Sequence, residues 1–291
     1  MDSFLQNLIS GCLLGCIYAM AALGFTIVFN ASRIVNFANG EFLMLGGVGL
    51  AGVVVTAGLP LWLGVILAIA CTAFVGVLMQ VAFLNNARSA DELSLVMLTI
   101  GTGLAIRGAG ALIFGRSVTF VPDFGLFPML LMGDVYIVSQ GIWIALTLVA
   151  VGIALWYLFS RTTFGKAMKA ASQEPRAAAL CGIEPRQAAA AAFAIAAGLG
   201  GLAGALLAPI SAAFYENGVF LGLKGFAAAV AGGMGNPLGA VVGGLIIGVV
   251  EALSAGYVSS GYKDGVAFII LLLVLLFRPQ GLLGGVSVKR V

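Results

Sequence analysis

LQNLISGCLLGCIYAMAALGFTIVF, Leu5 to Phe29, carries no charged residue from end to end. A helix needs about 20 apolar residues to cross a bilayer core, and this run supplies them. Inside lipid a helix satisfies its own backbone hydrogen bonds, so helix is the conformation such a run must adopt. The start, MDSFLQN, lacks the basic region of a cleaved signal peptide, so the run reads as a retained helix. Cys12 and Cys16 lie one turn apart within it and read as small buried residues.

The rest of the chain is of the same kind. Of its 291 residues, 62% are hydrophobic and 9% charged, with a mean hydropathy of +1.15. A soluble domain carries roughly a quarter charged residues. So much apolar surface cannot be buried in one core of this size, and the solvent must be partly lipid. Strand-like alternation is missing, which speaks against a β-barrel. The expected fold class is an all-α polytopic membrane protein of about eight to ten segments, some short or interrupted, forming a single transmembrane domain over 1–291. The candidate segments are 5–29, 42–58, 61–84, 93–115, 135–159, 187–209, 221–234, 237–256 and 264–277. Of these 221–234 is short, and such segments line pathways or sit within protein.

Composition also excludes functions. The net charge of +3 is small and dispersed, against a nucleic-acid partner. The chain has no His, which removes imidazole catalysis and imidazole metal ligands. Its four cysteines suggest neither a disulfide framework nor a zinc site. GxxxxGK[ST] is absent, so no P-loop binds nucleotide here. No metal, cofactor or catalytic residue is expected in this chain.

Orientation follows from Lys and Arg. With the N-terminus outside and nine crossings, the cytoplasmic segments hold Arg33, Arg88, Arg161, Lys166, Lys169, Arg176, Arg186, Arg278, Lys289 and Arg290. Arg116, Lys224 and Lys263 fall outside, and Arg107 lies in the membrane. The expected C-terminus is therefore inside. A re-entrant 221–234 would reverse the side of the last three cations, which weighs against it.

That placement makes RTTFGKAMKAASQEPRAAALCGIEPRQ, Arg161 to Gln187, the largest cytoplasmic loop. It concentrates seven charges: Arg161, Lys166, Lys169, Glu174, Arg176, Glu184 and Arg186. Ala-rich sequence favours helix, Pro175 suits the first helical position, and Gly182 suits the stop. A short surface helix from Pro175 to Cys181 is predicted, with Ala177, Leu180 and Cys181 on one face. The loop reads either as a solvated connection or as a docking element.

Inside the membrane, glycines recur at four-residue spacing: Gly11/Gly15, Gly200/Gly204, Gly235/Gly239, Gly239/Gly243 and Gly244/Gly248. Small residues so spaced let helices approach closely. Gly232, Gly233 and Gly235 around Met234 also suit a hinge. Polar groups are sparse. Arg107 lies in LTIGTGLAIRGAGALIF, with Thr99 and Thr102, and Glu251 lies in GLIIGVVEALSAG. An arginine at the bilayer centre costs about 2.5–3.5 kcal/mol, so Arg107 must face protein or water. An Arg107–Glu251 pair is one solution. These groups read either as structural ion pairs or snorkelling side chains, or as a pathway lining. A third cluster, NASRIVNFANGEF from Asn30 to Phe42, includes Asn36, Asn39 and Glu41. Asn, Ser and Gly compete with helical bonds, so it reads as a polar connection or as a break that contacts solute.

Three stretches, in order, resemble the H-type membrane permeases of branched-chain amino acid ABC importers: LGFTIVFNASRIVNFANGEFLMLGG (23–47), GKAMKAASQEPRAAALCGIEPRQ (165–187), and AGGMGNPLGAVVGGLIIGVVEAL with YKDGVAFIILLLVLLFRPQGLLG (231–253 and 262–284). The resemblance covers nearly the whole chain. It implies half of a permease pair, completed by a related M-type chain or a second copy. It also implies two cytoplasmic ATPase subunits that bind ATP and Mg, a periplasmic solute-binding protein, and a place in the bacterial inner membrane. By resemblance, Glu174, Pro175, Arg176, Ala177, Ala178, Leu180 and Gly182 form the segment that couples to an ATPase. Relatives carry urea, short amides and aromatic acids too. The rival function is a gradient-driven transporter or channel, for which Arg107 and Glu251 would be the ionisable groups.

Overall fold

A computed structural model describes residues 2–87, 91–125, 130–132 and 135–284. Arg88, Lys289 and Arg290 lie outside the described residues. The chain forms α1 (Asp2–Ser32), α2 (Asn39–Ala51), α3 (Leu61–Met79) and α4 (Glu92–Phe114). Then come a short antiparallel hairpin, β1 (Leu130–Met132) and β2 (Val135–Ile137), and the helices α5 (Ser139–Arg161), α6 (Thr163–Gln173) and α7 (Pro175–Leu180). The last four are α8 (Pro185–Ser211), α9 (Asn217–Gly232), α10 (Pro237–Tyr257) and α11 (Lys263–Phe277). Single π turns extend α2 over Gly52–Thr56 and α3 over Gln80–Leu84.

The expected all-α membrane architecture is what forms. Among the described residues, eight helices are long and apolar enough to cross a membrane, and α9 is a shorter apolar helix. Nothing in the alternation of the sequence foretold the hairpin, whose strands are three residues each.

The centre of the bundle is made of α1, α2, α8, α9 and α10, packed backbone to backbone. Gly11 and Gly15 of α1 face Gly248, Gly244 and Leu245 of α10, so the four-residue glycine spacing is close helix packing. A Cβ on Gly11 would stand 2.7 Å from the Val249 Cα. Gly200 and Gly204 of α8 do the same against Phe42 and Leu43 of α2. From Ile17 to Val28 nearly every α1 side chain is buried. The outer helices turn large apolar residues outward instead: Phe74 of α3, Leu112 and Ile113 of α4, Trp156 of α5 and Leu276 of α11. Such faces suit lipid, which has no preference for water-like groups.

Two breaks set the topology. α1 stops at Ser32, and Arg33 takes a left-handed conformation (φ 58°). Residues 34–38 then run back alongside α1, so α2 starts level with the middle of α1: Asn39 Nδ2 donates to the Ala21 carbonyl at 3.1 Å. α2 is therefore a half-helix, and segment 42–58 starts earlier than its hydropathy suggests. The second break is at 212–216. Ala212 has φ 55°, and Ala213 bridges to Thr119. α9 then also starts midway, with Gly218 against Gly40 and Gly225 against Ala21. At about 24 Å for its 16 residues, against about 46 Å for the 31 of α1, it is about half the length of α1. α9 ends where Gly233 and Gly235 (φ 109° and 96°) turn the chain into α10, beside Asn30. Segment 221–234 thus falls within and just after α9, which begins four residues earlier at Asn217 and is preceded by the irregular 212–216.

All of this leaves two distinct ends. The hairpin end holds the α1 N-terminus. The α7 end holds α6, α7 and Gly284, because Leu282 and Leu283 bond the Ala231 and Gly232 carbonyls at the foot of α9.

Candidate functional site

The N-termini of α2 and α9 meet inside the bundle, heading in opposite directions. Gly40 sits against Gly218 and Gly222 with no side chain between; a Cβ on Gly40 would lie 2.8 Å from the Gly222 Cα. Free N–H groups at a helix start give it a partial positive charge. Two such starts converge here, and the anion that answers them is Glu41, in the first turn of α2. Its Oε1 accepts from Arg107 Nη2 at 2.6 Å and Nε at 3.1 Å. Its Oε2 lies against Gly218, 2.7 Å from where a Cβ there would stand, and has no hydrogen-bond partner among the described residues. The Glu41 side chain is 5% exposed and that of Arg107 is 26%.

The Asn- and Thr-rich cluster keeps the broken backbone satisfied, as buried irregular chain requires. Asn36 Oδ1 accepts from the Ala38 N–H at 3.0 Å. Thr99 Oγ1 accepts from the Phe37 N–H at 3.2 Å. Thr102 folds back on the Leu98 and Thr99 carbonyls within α4. The Asn36 Nδ2 and Asn39 Oδ1 atoms are buried without a partner among the described residues. Asn36, Asn39, Glu41, Thr99 and Arg107 therefore gather around one junction, with Thr102 a turn along α4.

Glu251 does not join them, and the Arg107–Glu251 pair does not form. α4 packs on α2, whereas α10 packs on α1 and α9, so each charge meets a nearer partner. Lys224 Nζ donates to Glu251 Oε1 at 2.7 Å and to Asp264 Oδ1 at 2.6 Å, with Tyr18 OH at 3.3 Å. The sequence expectation put Lys224 outside the membrane; it is buried at 6% side-chain exposure. A Lys in an apolar half-helix is as telling as an Arg in a full one, and that signal was there to be read. Tyr18 and Asp264 gave none, being an aromatic in an apolar run and an acid at a segment end.

At the α7 end, Pro175 opens the short helix and Gly182 (φ 80°) closes it. Ala178 is buried, the Ile183 N–H bonds its carbonyl, and Leu180 is 91% exposed. Glu174, Pro175, Arg176, Ala177 and Gly182 are all exposed, so the matched residues form one prong with an apolar tip. Before it lies α6, a second helix within 161–187. The Thr162 hydroxyl caps it at the Gly165 N–H, 3.0 Å away. Gly165, Met168 and Ala171 turn inward, Lys166 faces out, and Lys169 is exposed at the edge of the inner face. Such an amphipathic helix lies along a membrane surface.

A polytopic helical bundle with paired half-helices, charges neutralised at their junction and a prong at one end defines a solute permease. A family profile described as "Branched-chain amino acid transport system / permease component" matches residues 7–275. The chain is similar to the high-affinity branched-chain amino acid transport system permease proteins LivH of Salmonella typhimurium (32% identical over 316 residues) and BraD of Pseudomonas aeruginosa (32% over 302 residues), each covering 99% of this chain and 98% of the relative. It is also similar to the ribose import permease protein RbsC of Haemophilus influenzae, 28% identical over 89% of this chain and 80% of that one. Among solved structures, PsaBC from Streptococcus pneumoniae in complex with Fab shares the fold, with TM-score 0.53 and 16% identity over 95% of this chain and 92% of that one. The chain belongs to the permease family of branched-chain amino acid ABC importers.

Proposed function

We propose that this chain is one of two permease subunits of an ATP-driven importer in the bacterial inner membrane, carrying a branched-chain amino acid. The relatives' names support the solute. Charge supports the side. Arg33, Arg161, Lys166, Lys169, Arg176, Arg186 and Arg278 lie toward the α7 end, against Arg116 and Lys263 toward the hairpin end. The α7 end is then cytoplasmic, with the N-terminus outside and the C-terminus inside.

The observation that carries the reading is the α7 prong. Leu180 is 91% exposed at the tip of a short helix fixed by the buried Ala178, a fixed projection that suits insertion into another protein. The proposed occupant is one of two ATPase subunits, which hold ATP and Mg. A second permease subunit, of the M type or a copy of this one, completes the channel, and a periplasmic binding protein delivers the solute. ATP binding draws the ATPases together, and α7 carries the motion to α8. A partner biases the permease only through its different affinity for the two conformations. The solute pathway runs by the half-helix junction, where Glu41 and Arg107 offer both charge signs to a zwitterion.

The test is ATP-coupled uptake by the reconstituted assembly. Leu180→Asp, Gly182→Leu, or charge reversal at Glu174 and Arg176 together should leave ATP hydrolysis running and abolish its coupling to uptake. Uptake at the unmodified level by all three variants rejects the coupling role. Absence of any co-purifying ATPase favours a gradient-driven carrier instead.

A further inference from the structure

At the α7 end a partly open cavity of about 340 Å³ lies between the last turn of α1, the inner face of α6 and the start of α10. Its polar wall includes Arg33, Lys169, Ser172 and Gln173; Ile27, Phe159 and Met168 make its apolar wall. No acidic residue lines it. Among the described residues neither cation has a carboxylate within ion-pair distance. Arg33 is held at the rim by its left-handed backbone, with its guanidinium 5.9 Å from the Phe29 ring centre. Depth is marked by α5, where exposed Trp156 and Tyr157 lie just before Arg161, the arrangement of a membrane–water interface. The amphipathic α6 lies at the same level.

Two unpaired cations at an interface, an apolar wall beneath them and neutral hydrogen-bonding groups between them suit a phosphate whose substituents are hydrocarbon. We propose that this cavity binds the phosphodiester headgroup of an anionic phospholipid of the inner leaflet, Arg33 and Lys169 holding the phosphate and Ile27, Phe159 and Met168 meeting the first acyl carbons. Basic pockets between membrane helices on the cytoplasmic side recognise such headgroups. The leaflet rests on the orientation proposed above; the ligand chemistry does not. A lipid here would tie α6, and so the base of α7, to the ends of α1 and α10.

The test uses the full chain in nanodiscs of phosphatidylcholine with a minority of phosphatidylglycerol, extracted and weighed by native mass spectrometry. The unmodified chain should retain phosphatidylglycerol. Arg33→Gln or Lys169→Gln should reduce that retention roughly 5-fold, and the pair roughly 30-fold, at about a fivefold change per cation near the headgroup. Lys166→Gln, on the same helix but off the cavity, should retain it fully and shows that folding is intact. Equal retention by the double variant overturns the proposal. So does complete displacement by inorganic phosphate, which would make the site one for free anions. Loss of the lipid on assembly with the ATPase overturns it too, because a protein would then own the cavity. Uptake is scored separately, so a failed lipid site leaves the transport reading standing.

Discussion

Lys224→Met should be the most damaging single charge removal in the described bundle. The ammonium sits between Glu251, 5% exposed, and Asp264, 48% exposed, while Lys224 itself is 6% exposed. Its removal leaves the Glu251 carboxylate in an apolar setting with the Tyr18 hydroxyl at 3.2 Å as its remaining donor, and with Oε2 unpartnered. Removing one member of a buried pair costs about 3–5 kcal/mol. On the scale of soluble domains of this size that is a midpoint lowered by roughly 6–20 °C. Asp264→Asn removes a half-solvated charge and should cost about 0–1 kcal/mol. The decisive variant is Lys224→Met with Glu251→Leu. Replacing both buried ions by apolar groups is often neutral or better, so the double variant should regain most of what the single one loses. The measurement is the thermal midpoint in nanodiscs, followed by intrinsic fluorescence. A double variant at least as unstable as the sum of its two singles would refute the reasoning, because each charge would then act through something other than its partner.

Two further outcomes follow from the packing and the surface. Gly11→Ala puts a Cβ 2.7 Å from the Val249 Cα and 2.9 Å from the Gly248 carbonyl, and should cost about 1–3 kcal/mol as a lowered midpoint. Gly101→Ala, whose Cβ meets nothing within 4 Å, should be neutral or gain up to about 1 kcal/mol. Cys181 is exposed at the end of α7 and Cys16 is buried. A membrane-impermeant maleimide should label Cys181 from the cytoplasmic face of the chain alone, should leave Cys16 unlabelled, and should lose access to Cys181 once an ATPase docks; labelling from the outer face would invert the orientation.

The sequence showed the bundle and the prong because both rest on local rules. Apolar length marks a span, and Pro175 and Gly182 bracket a helix whatever lies around it. The four-residue glycine spacing likewise announced close packing. Partners were not legible, because choosing them requires knowing which helices touch. Arg107 and Glu251 were the two conspicuous ions, but α4 leans on α2 and α10 on α9, so each found a different mate. The half-helices were half legible. Asn36 and Asn39 signalled a break, yet the bond of Asn39 to the Ala21 carbonyl of α1, and that of Thr99 of α4 to the Phe37 N–H, emerge only when α1 and α4 are seen beside it. At 212–216 the sequence offered no comparable cluster, so hydropathy marked 221–234 as unusually short without showing the break before it.

On the proposed transport cycle the half-helix junction is the moving part, and its contacts are made with few polar groups. α2 and α9 touch through Gly40, Gly218 and Gly222, and α8 touches α2 through Gly200 and Gly204. At Gly40 the α2–α9 contact is backbone on backbone, with the Glu41 carboxylate beside it against Gly218. α7 leads into α8 through four residues, Cys181 to Glu184, which are outside any helix but pinned by the Ile183 N–H on the Ala178 carbonyl. On the coupling proposed above, a shift of α7 therefore reaches Gly40 by backbone contact. There Glu41 faces the start of α9 as well as its ion-pair partner Arg107, so parting α2 from α9 gives up the attraction of the carboxylate to that helix start in a medium of low dielectric; the closed contact is the favoured arrangement, and a motion transmitted through α7 has to offset that attraction to open it.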